Sequence, residues 1–191
     1  SADNPMQQYP HPAQPVETPQ LRPGEFEAIR SLAHEHFGLD LRSGKEALVS
    51  DRLSKRVRDP GLAGISHYLE LVKADRTGVE LAKLIDALTT NFTSFLREPQ
   101  HFEMLGSTVL PELARRPSFQ IWSAGCATGE EPYSILLYVA DALGEQQASA
   151  MNLLATDIST RALEAATAGI YADQRLHEMP PSWPKRYFLR G

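Results

Sequence analysis

One stretch in the second half of the chain constrains the fold more than any other. Residues 118–122 are a short β-prone run, and a turn that contains Gly125 and Gly129 follows them. Residues 132–143 then show helical spacing of apolar side chains, and residues 152–157 are a second apolar run that ends in an acid. A strand, a glycine turn, a helix and a strand with an acid at its end are typical of the opening of a parallel, doubly wound sheet. The sequence therefore predicts an α/β domain here.

The turn also carries two acids, Glu130 and Glu131, where the helix begins. A helix N-terminus attracts anions, but these carboxylates repel a pyrophosphate. The spacing of Gly125 and Gly129 also fits neither the dinucleotide nor the triphosphate fingerprint. A ligand without phosphate, such as S-adenosylmethionine, fits better, and Asp157 lies where an acid accepts ribose hydroxyls. The alternative is that the two glutamates only stabilise the first helical turn and that Asp157 caps the next helix.

Composition narrows the classes of function. The 191 residues are 42% hydrophobic, which is enough for a buried core in one ordinary domain or two small ones. A net charge of -5 without a long basic block argues against binding to nucleic acid. Cys126 is the only cysteine, and no apolar run approaches the length of a membrane span, so neither an internal disulfide nor membrane insertion is expected. The cytoplasm is the simplest compartment, and no metal site is expected.

The chain divides into three parts by pattern. Residues 1–23 hold six of the fourteen prolines and are predicted to be a disordered tail. Residues 24–97 are predicted to be a helical domain with a linker, and residues 98–191 to begin the α/β domain. Besides the helix over residues 132–143, the sequence pattern predicts helices over residues 24–38, 43–58, 65–74, 78–90, 101–115 and 159–168.

A polar segment, Asn91-Phe92-Thr93-Ser94-Phe95-Leu96-Arg97, interrupts the helical pattern. As a linker, its hydroxyls would satisfy backbone donors and Phe95 would fill core. As the wall of a site, Arg97 would hold a carboxylate with its planar guanidinium. The segment alone leaves both interpretations open.

Four motifs together resemble the bacterial chemotaxis receptor methyltransferases of the CheR family. They are LTTNFTSFLRE, WSAGCATGEEPYS, ATDIS and AGIYADQRLHEMP, in the same order and spacing as in that family. The resemblance implies an N-terminal helical domain joined to a Rossmann-like S-adenosylmethionine-binding domain. It also implies methyl transfer to glutamate side chains of chemoreceptors, which gives glutamate methyl esters and S-adenosylhomocysteine. The partner would be the cytoplasmic helical region of those receptors.

Site residues follow from the matching motif positions. The resemblance implies that Arg97 belongs to the catalytic centre. It implies cofactor contacts by Asn91, Thr93, Arg97, Glu131 and Asp157. The chain departs from the family pattern at Leu96, where a second Phe is common, and an apolar wall absorbs that change. Cys126 occupies a variable position and is expected to pack rather than to react.

The second predicted helix carries a basic face. Lys45, Arg52 and Arg56 lie close together by the helical period, with Lys55 beside them. One interpretation is a solvated face, balanced by nearby acids at 46, 51 and 59. The resemblance favours another, in which this helix faces the acidic methylation region of the receptor. The residues expected to steer the receptor helix are Arg52, Lys55, Arg56 and Arg58.

Only helical and irregular segments follow Asp157, whereas an open parallel sheet needs further strands. The chain is therefore expected to be a fragment, or to complete its sheet in a swapped oligomer with another copy. Two other functions stay open at this point. One is a non-catalytic module that binds cofactor or receptor, and the other is a nicotinamide oxidoreductase built on the same opening motif.

Overall fold

The structure is a computed structural model that describes residues 21–58 and 61–190. These residues form two compact units, one that ends at Glu70 and one that begins at Leu71. Residues 1–20 of the proposed disordered tail lie outside the described residues. The domain limits at residues 23 and 97 stay predictions.

The first unit is helical. Its helices are α1 (Pro23–Phe37), α2 (Glu46–Val57) and the start of α3 (Ile65–Ala74). Helix α3 has the predicted limits, whereas α2 begins three residues later than predicted. Gly44 explains the late start, because its φ of 87° is left-handed and ends the preceding turn. Lys45 therefore precedes the helix, and Arg58 follows its last residue.

A buried carboxylate joins α1 to α3 in this unit. Glu25 is 8% exposed and accepts hydrogen bonds from Arg22 N and Nη2, both at 2.8 Å, and from Ser66 Oγ at 2.6 Å. Burial raises the pKa of Glu25, but the hydrogen bonds from Arg22 and Ser66 outweigh burial and lower the pKa to about 2.

We expect the stability of the first unit to depend on this carboxylate at acid pH. Because the folded-state pKa lies below the ordinary value of 4.5, its stabilisation is complete above about pH 4.5. It is lost as the pH falls towards about 2. At pH 6, Glu25→Gln should lower the free energy of unfolding by about 1–3 kcal/mol. Denaturant titrations should show that this difference shrinks towards pH 2, whereas exposed Glu27→Gln should have little effect. An equal deficit at both pH values would contradict the expectation.

The second unit contains the rest of α3 and all later elements. Its first complete helix is α4 (Val79–Leu88). The later helices are α5 (Pro99–Met104), α6 (Leu110–Leu113), α7 (Glu130–Leu143), α8 (Glu145–Ala150), α9 (Thr160–Ala168) and α10 (Trp183–Tyr187). The strands are β1 (Phe119–Ala124) and β2 (Met151–Thr156). A 3₁₀ turn covers Asp173–Leu176. No helix of the described residues is long and apolar enough to cross a membrane.

The two strands confirm the predicted α/β opening. Strands β1 and β2 pair in parallel with Phe119 opposite Met151 and Ala124 opposite Thr156, and α7 lies between them in sequence. One face of this pair packs on α7 around Phe119, Val139 and Met151. On the other face Trp122 and its register partner Leu154 are 65% and 55% exposed. Doubly wound sheets have helices on both faces, whereas these side chains lack such cover within residues 21–58 and 61–190.

The continuous helix predicted over residues 101–115 is wrong in detail. Helices α5 and α6 are separated by a π-helical turn over Leu105–Val109. Gly106 in that turn lies against Tyr138, so close that an added Cβ would be 2.5 Å from the tyrosine hydroxyl oxygen. A π turn shifts the register of a helix by one residue, which apolar spacing in the sequence does not reveal.

A second apolar cluster holds the polar segment onto α7. Phe95 is completely buried and packs with Leu137, Leu176, Met179 and Trp183. The burial of Phe95 confirms the packing role that the linker interpretation gives it. The cluster therefore fixes residues on both sides of Phe95 next to the start of α7.

Candidate functional site

The candidate site lies at the carboxyl end of the two strands. The turn after β1 bonds directly to the end of β2, because Gly125 N and Cys126 N donate to Thr156 O at 2.7 and 2.9 Å. Ala127 N donates to Asp157 Oδ2 at 2.8 Å. The glycine turn and the acid after β2 are therefore held as one unit, at the edge where ligands bind in open α/β sheets.

Asp157 tethers two loops and does not cap α9. Its Oδ1 atom accepts from Ser159 N at 2.8 Å, while its Oδ2 atom holds Ala127. Ser159 is the N-cap residue, because its Oγ atom accepts from Ala162 N at 3.1 Å. The capping alternative for Asp157 is therefore wrong. The carboxylate is half-buried, and each oxygen retains a lone pair for a further donor.

The backbone of the turn is left-handed at three positions. Gly125, Ala127 and Gly129 have φ values of 82°, 47° and 97°. Gly129 also lies against α9, since an added Cβ would be 2.6 Å from Tyr171 Oη and 3.0 Å from Ala166 Cα. Tyr171 Oη donates to Thr128 O at 2.7 Å, and burial raises the pKa of Tyr171, so the phenol stays a donor. Gly129 is therefore required by conformation and by space.

The two acids of the turn have different environments. The side chain of Glu130 is 1% exposed, and it accepts from Thr128 Oγ1 at 2.5 Å and from Arg175 Nη2. Glu131 is exposed, and its Oε1 atom accepts from Ser123 Oγ at 2.7 Å. Glu130 is thus neutralised inside the fold, and Glu131 is the acid that faces outward. The sequence alone does not separate them, because they are adjacent in one helical turn.

Cys126 is completely buried beside this turn. Burial raises the pKa of its thiol, and the negative charge of Asp157 raises it further. The thiol therefore stays protonated near neutral pH and is a poor nucleophile, in agreement with the packing role predicted for it.

The polar segment is anchored next to the turn at several atoms. Asn91 Nδ2 donates to Ser159 Oγ at 3.0 Å, and Arg175 Nη2 donates to Thr93 O at 3.1 Å. Leu96 N donates to the buried Ser134 Oγ at 2.9 Å. Three bonds thus tie this segment to α7, to the start of α9 and to the 3₁₀ turn.

Arg97 is exposed and is held by its own segment. Its Nη1 atom donates to Phe92 O at 3.2 Å, and its guanidinium lies 5.5 Å from the centre of the Phe92 ring. This contact leaves other donors of the planar group available for a carboxylate. The structure therefore joins Asn91 and Asp157 through Ser159, whereas it shows no direct contact of Arg97 with either.

Asp86, near the end of α4, is a positioning group that the sequence did not reveal. Its two carboxylate oxygens accept from Ser159 Oγ and Thr160 Oγ1, each at 2.7 Å. Burial raises the pKa of Asp86, but these hydrogen bonds outweigh burial and lower the pKa below its ordinary value. Ser159 therefore bonds to Asp86, Asn91 and Asp157 together. Asp86 and Ser159 are 73 positions apart, so no local pattern could have indicated their contact.

The predicted docking residues lie on the first unit and differ in exposure. Lys55 and Arg58 are exposed, whereas Arg52 and Arg56 are half-buried. The Arg56 guanidinium lies 5.9 Å from the centre of the Tyr68 ring. Of the four, Lys55 and Arg58 are therefore the most accessible to a partner.

The residues of the turn fit S-adenosylmethionine by their chemistry. Glu131 lies in the first turn of α7, and Asp157 is bonded to the turn at Ala127 N. These two acids suit an ammonium group and ribose hydroxyls and disfavour phosphate. Arg175, the cation next to the turn, is already paired with Glu130. In the described ranges no group of three or more His, Cys, Asp or Glu side chains is arranged for a metal ion.

Comparison with known proteins identifies the class of domain. Residues 24–89 match the family model described as CheR methyltransferase, all-alpha domain, and residues 91–191 match CheR methyltransferase, SAM binding domain. The second unit therefore carries an S-adenosylmethionine-binding methyltransferase domain. The chain belongs to the CheR methyltransferase family.

Curated relatives agree with this assignment. The chain is 39% identical over 173 residues to the chemotaxis protein methyltransferase of Escherichia coli K12 and 41% identical to that of Klebsiella aerogenes. Both alignments cover 90% of this chain and 58% of the relative. The chemotaxis protein methyltransferase of Borreliella burgdorferi is 32% identical over 163 residues. The chain thus spans under two thirds of the length of these relatives.

Proposed function

We propose that the chain acts in S-adenosylmethionine-dependent methylation of glutamate side chains on the cytoplasmic helical region of chemoreceptors. The products are glutamate methyl esters and S-adenosylhomocysteine. The observation that supports this most is the phosphate-disfavouring turn joined to Asp157, in a domain matched to the S-adenosylmethionine-binding family. A cytoplasmic location belongs to the same proposal.

Methyl transfer to a glutamate carboxylate requires correct orientation of the reactants more than acid or base catalysis. The bound cofactor supplies a methyl group that its sulfonium already activates. A glutamate side chain is ionised near pH 7, so its carboxylate is a nucleophile without help from a general base. The protein's task is to hold that carboxylate in line and to exclude water.

We assign roles to the predicted site residues on this basis. Arg97 would receive the substrate carboxylate, because its guanidinium is exposed and its planar donors match two carboxylate oxygens. Asp157 would accept the ribose hydroxyls and Glu131 would neutralise the ammonium group of the cofactor. Asn91 and Thr93 would complete the wall, since their segment is anchored at Ser159 and Arg175.

Transfer of a labelled methyl group tests the proposal. The protein at the length in which the cell makes it, here called the natural-length protein, should transfer label from S-adenosylmethionine to receptor glutamates. Base-labile methyl esters should form. Binding of S-adenosylhomocysteine without any transfer would instead support a non-catalytic module.

We also propose that the basic face of α2 steers the receptor. Reversing the two accessible charges with Lys55→Glu and Arg58→Glu should lower the rate of receptor methylation at low substrate by about tenfold, because acidic receptor surface would be repelled. The affinity for S-adenosylhomocysteine should not change, since these residues lie in the other compact unit.

A matched variant separates steering from net charge. Lys73→Glu with Arg76→Glu reverses two exposed charges elsewhere and should leave the methylation rate near that of the wild type. Equal loss in both variants would mean that only net charge matters. Unchanged methylation in the first variant would contradict the docking proposal.

A further inference from the structure

The buried carboxylate of Glu130 depends on a cation from a distant part of the chain. The Glu130 side chain is 1% exposed at the first turn of α7, and an ionised group there is costly without a partner. Arg175, 45 residues later in the 3₁₀ turn, supplies that partner through Nη2. Thr128 Oγ1 supplies a second hydrogen bond.

The same nitrogen of Arg175 reaches the polar segment. Arg175 Nη2 donates to Thr93 O at 3.1 Å, so one guanidinium joins the 3₁₀ turn, the start of α7 and the segment that carries Asn91 and Arg97. The Arg175 side chain is 45% exposed, so it lies at the edge of the site rather than inside the core.

The polar segment needs such an anchor because part of its backbone is unfavourable. Leu96 has a φ of 53° and Glu98 a φ of 57°, a region that side chains other than glycine rarely adopt. Such a conformation persists only where neighbouring contacts impose it. Ser134 holds Leu96 N from one side, and Arg175 holds Thr93 O from the other.

We propose that Arg175 is a positioning residue for the cofactor site. It holds the segment of Asn91, Thr93 and Arg97 against the turn of residues 125–129, which Glu131 and Asp157 flank. This inference rests on the proposed function and adds to it a residue that touches neither cofactor nor substrate. Glu130 fixes the guanidinium, and the guanidinium fixes the backbone of the segment at Thr93.

Two variants isolate the contact with Thr93 from the burial of charge. Glu130→Gln removes the buried charge but keeps an amide oxygen that accepts from Arg175, so Arg175 can still donate to Thr93 O. The double variant Glu130→Gln, Arg175→Gln has no buried charge and no contact with Thr93 O. In the natural-length protein, the double variant should bind S-adenosylhomocysteine about tenfold more weakly than Glu130→Gln. The melting temperatures of the two variants without ligand should agree within a few degrees.

Arg175→Lys provides a second test that keeps the ion pair. The lysine ammonium lies one bond closer to the backbone than Nη2, so it should keep its pairing with the buried Glu130 and lose the bond to Thr93 O. We expect a raised KM for S-adenosylmethionine with little loss of stability, whereas Arg116→Gln at the opposite end of β1 should change neither.

The outcomes distinguish this inference from the proposed function. Equal affinity of Glu130→Gln and the double variant, or an unchanged KM in Arg175→Lys, would show that Arg175 only neutralises charge and would overturn the inference alone. A wild-type protein that does not bind S-adenosylhomocysteine would overturn the proposed function and the inference with it.

Discussion

Asp157→Asn is expected to weaken binding of S-adenosylhomocysteine by about 100-fold, the largest loss from any single change in the site. The two oxygens of Asp157 accept from Ala127 N and Ser159 N, and an amide has only one oxygen to offer. One backbone donor therefore loses its acceptor whichever way the amide is turned. The change also removes the charge proposed to accept the ribose hydroxyls. Isothermal titration calorimetry measures this loss.

A second acid-to-amide change provides the comparison. Asp141 lies on the exposed side of α7, where its Oδ1 atom is 3.7 Å from Arg186 Nη1. Asp141→Asn should leave the affinity within about twofold of the wild type, because exposed ion pairs contribute little. If Asp157→Asn also bound S-adenosylhomocysteine normally, Asp157 would have no part in the cofactor site.

Gly129→Ala is expected to be the most destabilising change in the turn. The left-handed φ of 97° costs a residue with a Cβ about 1–2 kcal/mol. The Cβ would also overlap Tyr171 Oη at 2.6 Å and crowd the backbone of Ala166 at 3.0 Å. A total loss of about 3 kcal/mol or more should lower the melting temperature by about 6–12 °C.

Gly125→Ala separates the two contributions. Gly125 has a similar φ of 82°, but an added Cβ would meet nothing within 4 Å. The melting temperature of Gly125→Ala should fall by about 2–8 °C, which corresponds to the backbone cost alone. The two variants are compared without ligand by thermal unfolding, which circular dichroism monitors. Equal falls in melting temperature in both variants would show that the contact with Tyr171 and Ala166 does not contribute to the effect of Gly129→Ala on stability.

The sequence predicted the local elements of the site well, because their signals are local. The strands and the glycine turn are marked in the sequence by β-prone runs and by Gly125 and Gly129, and α9 begins one residue after its predicted start at residue 159. Helix α3 has its predicted limits for the same reason. Helices α8 and α10 were not predicted, since five or six residues are too short for apolar periodicity to show.

The relations between distant residues could not be predicted in the same way. Glu130 and Glu131 look equivalent in the sequence, and only Arg175, 45 residues away, makes one a buried ion pair and leaves the other exposed. The bond from Ser159 Oγ to Asp86 spans 73 residues and holds the N-cap residue of α9 next to α4. Such contacts depend on how elements pack, which no local spacing encodes.

The turn of residues 125–129, with Glu131 and Asp157 beside it, is proposed to bind a sulfonium nucleoside and not a dinucleotide. Calorimetric titration of the natural-length protein with S-adenosylhomocysteine and, separately, with NAD tests it most directly. We expect saturable binding of S-adenosylhomocysteine and no detectable heat with NAD. Binding of NAD, or no binding of S-adenosylhomocysteine, would contradict it.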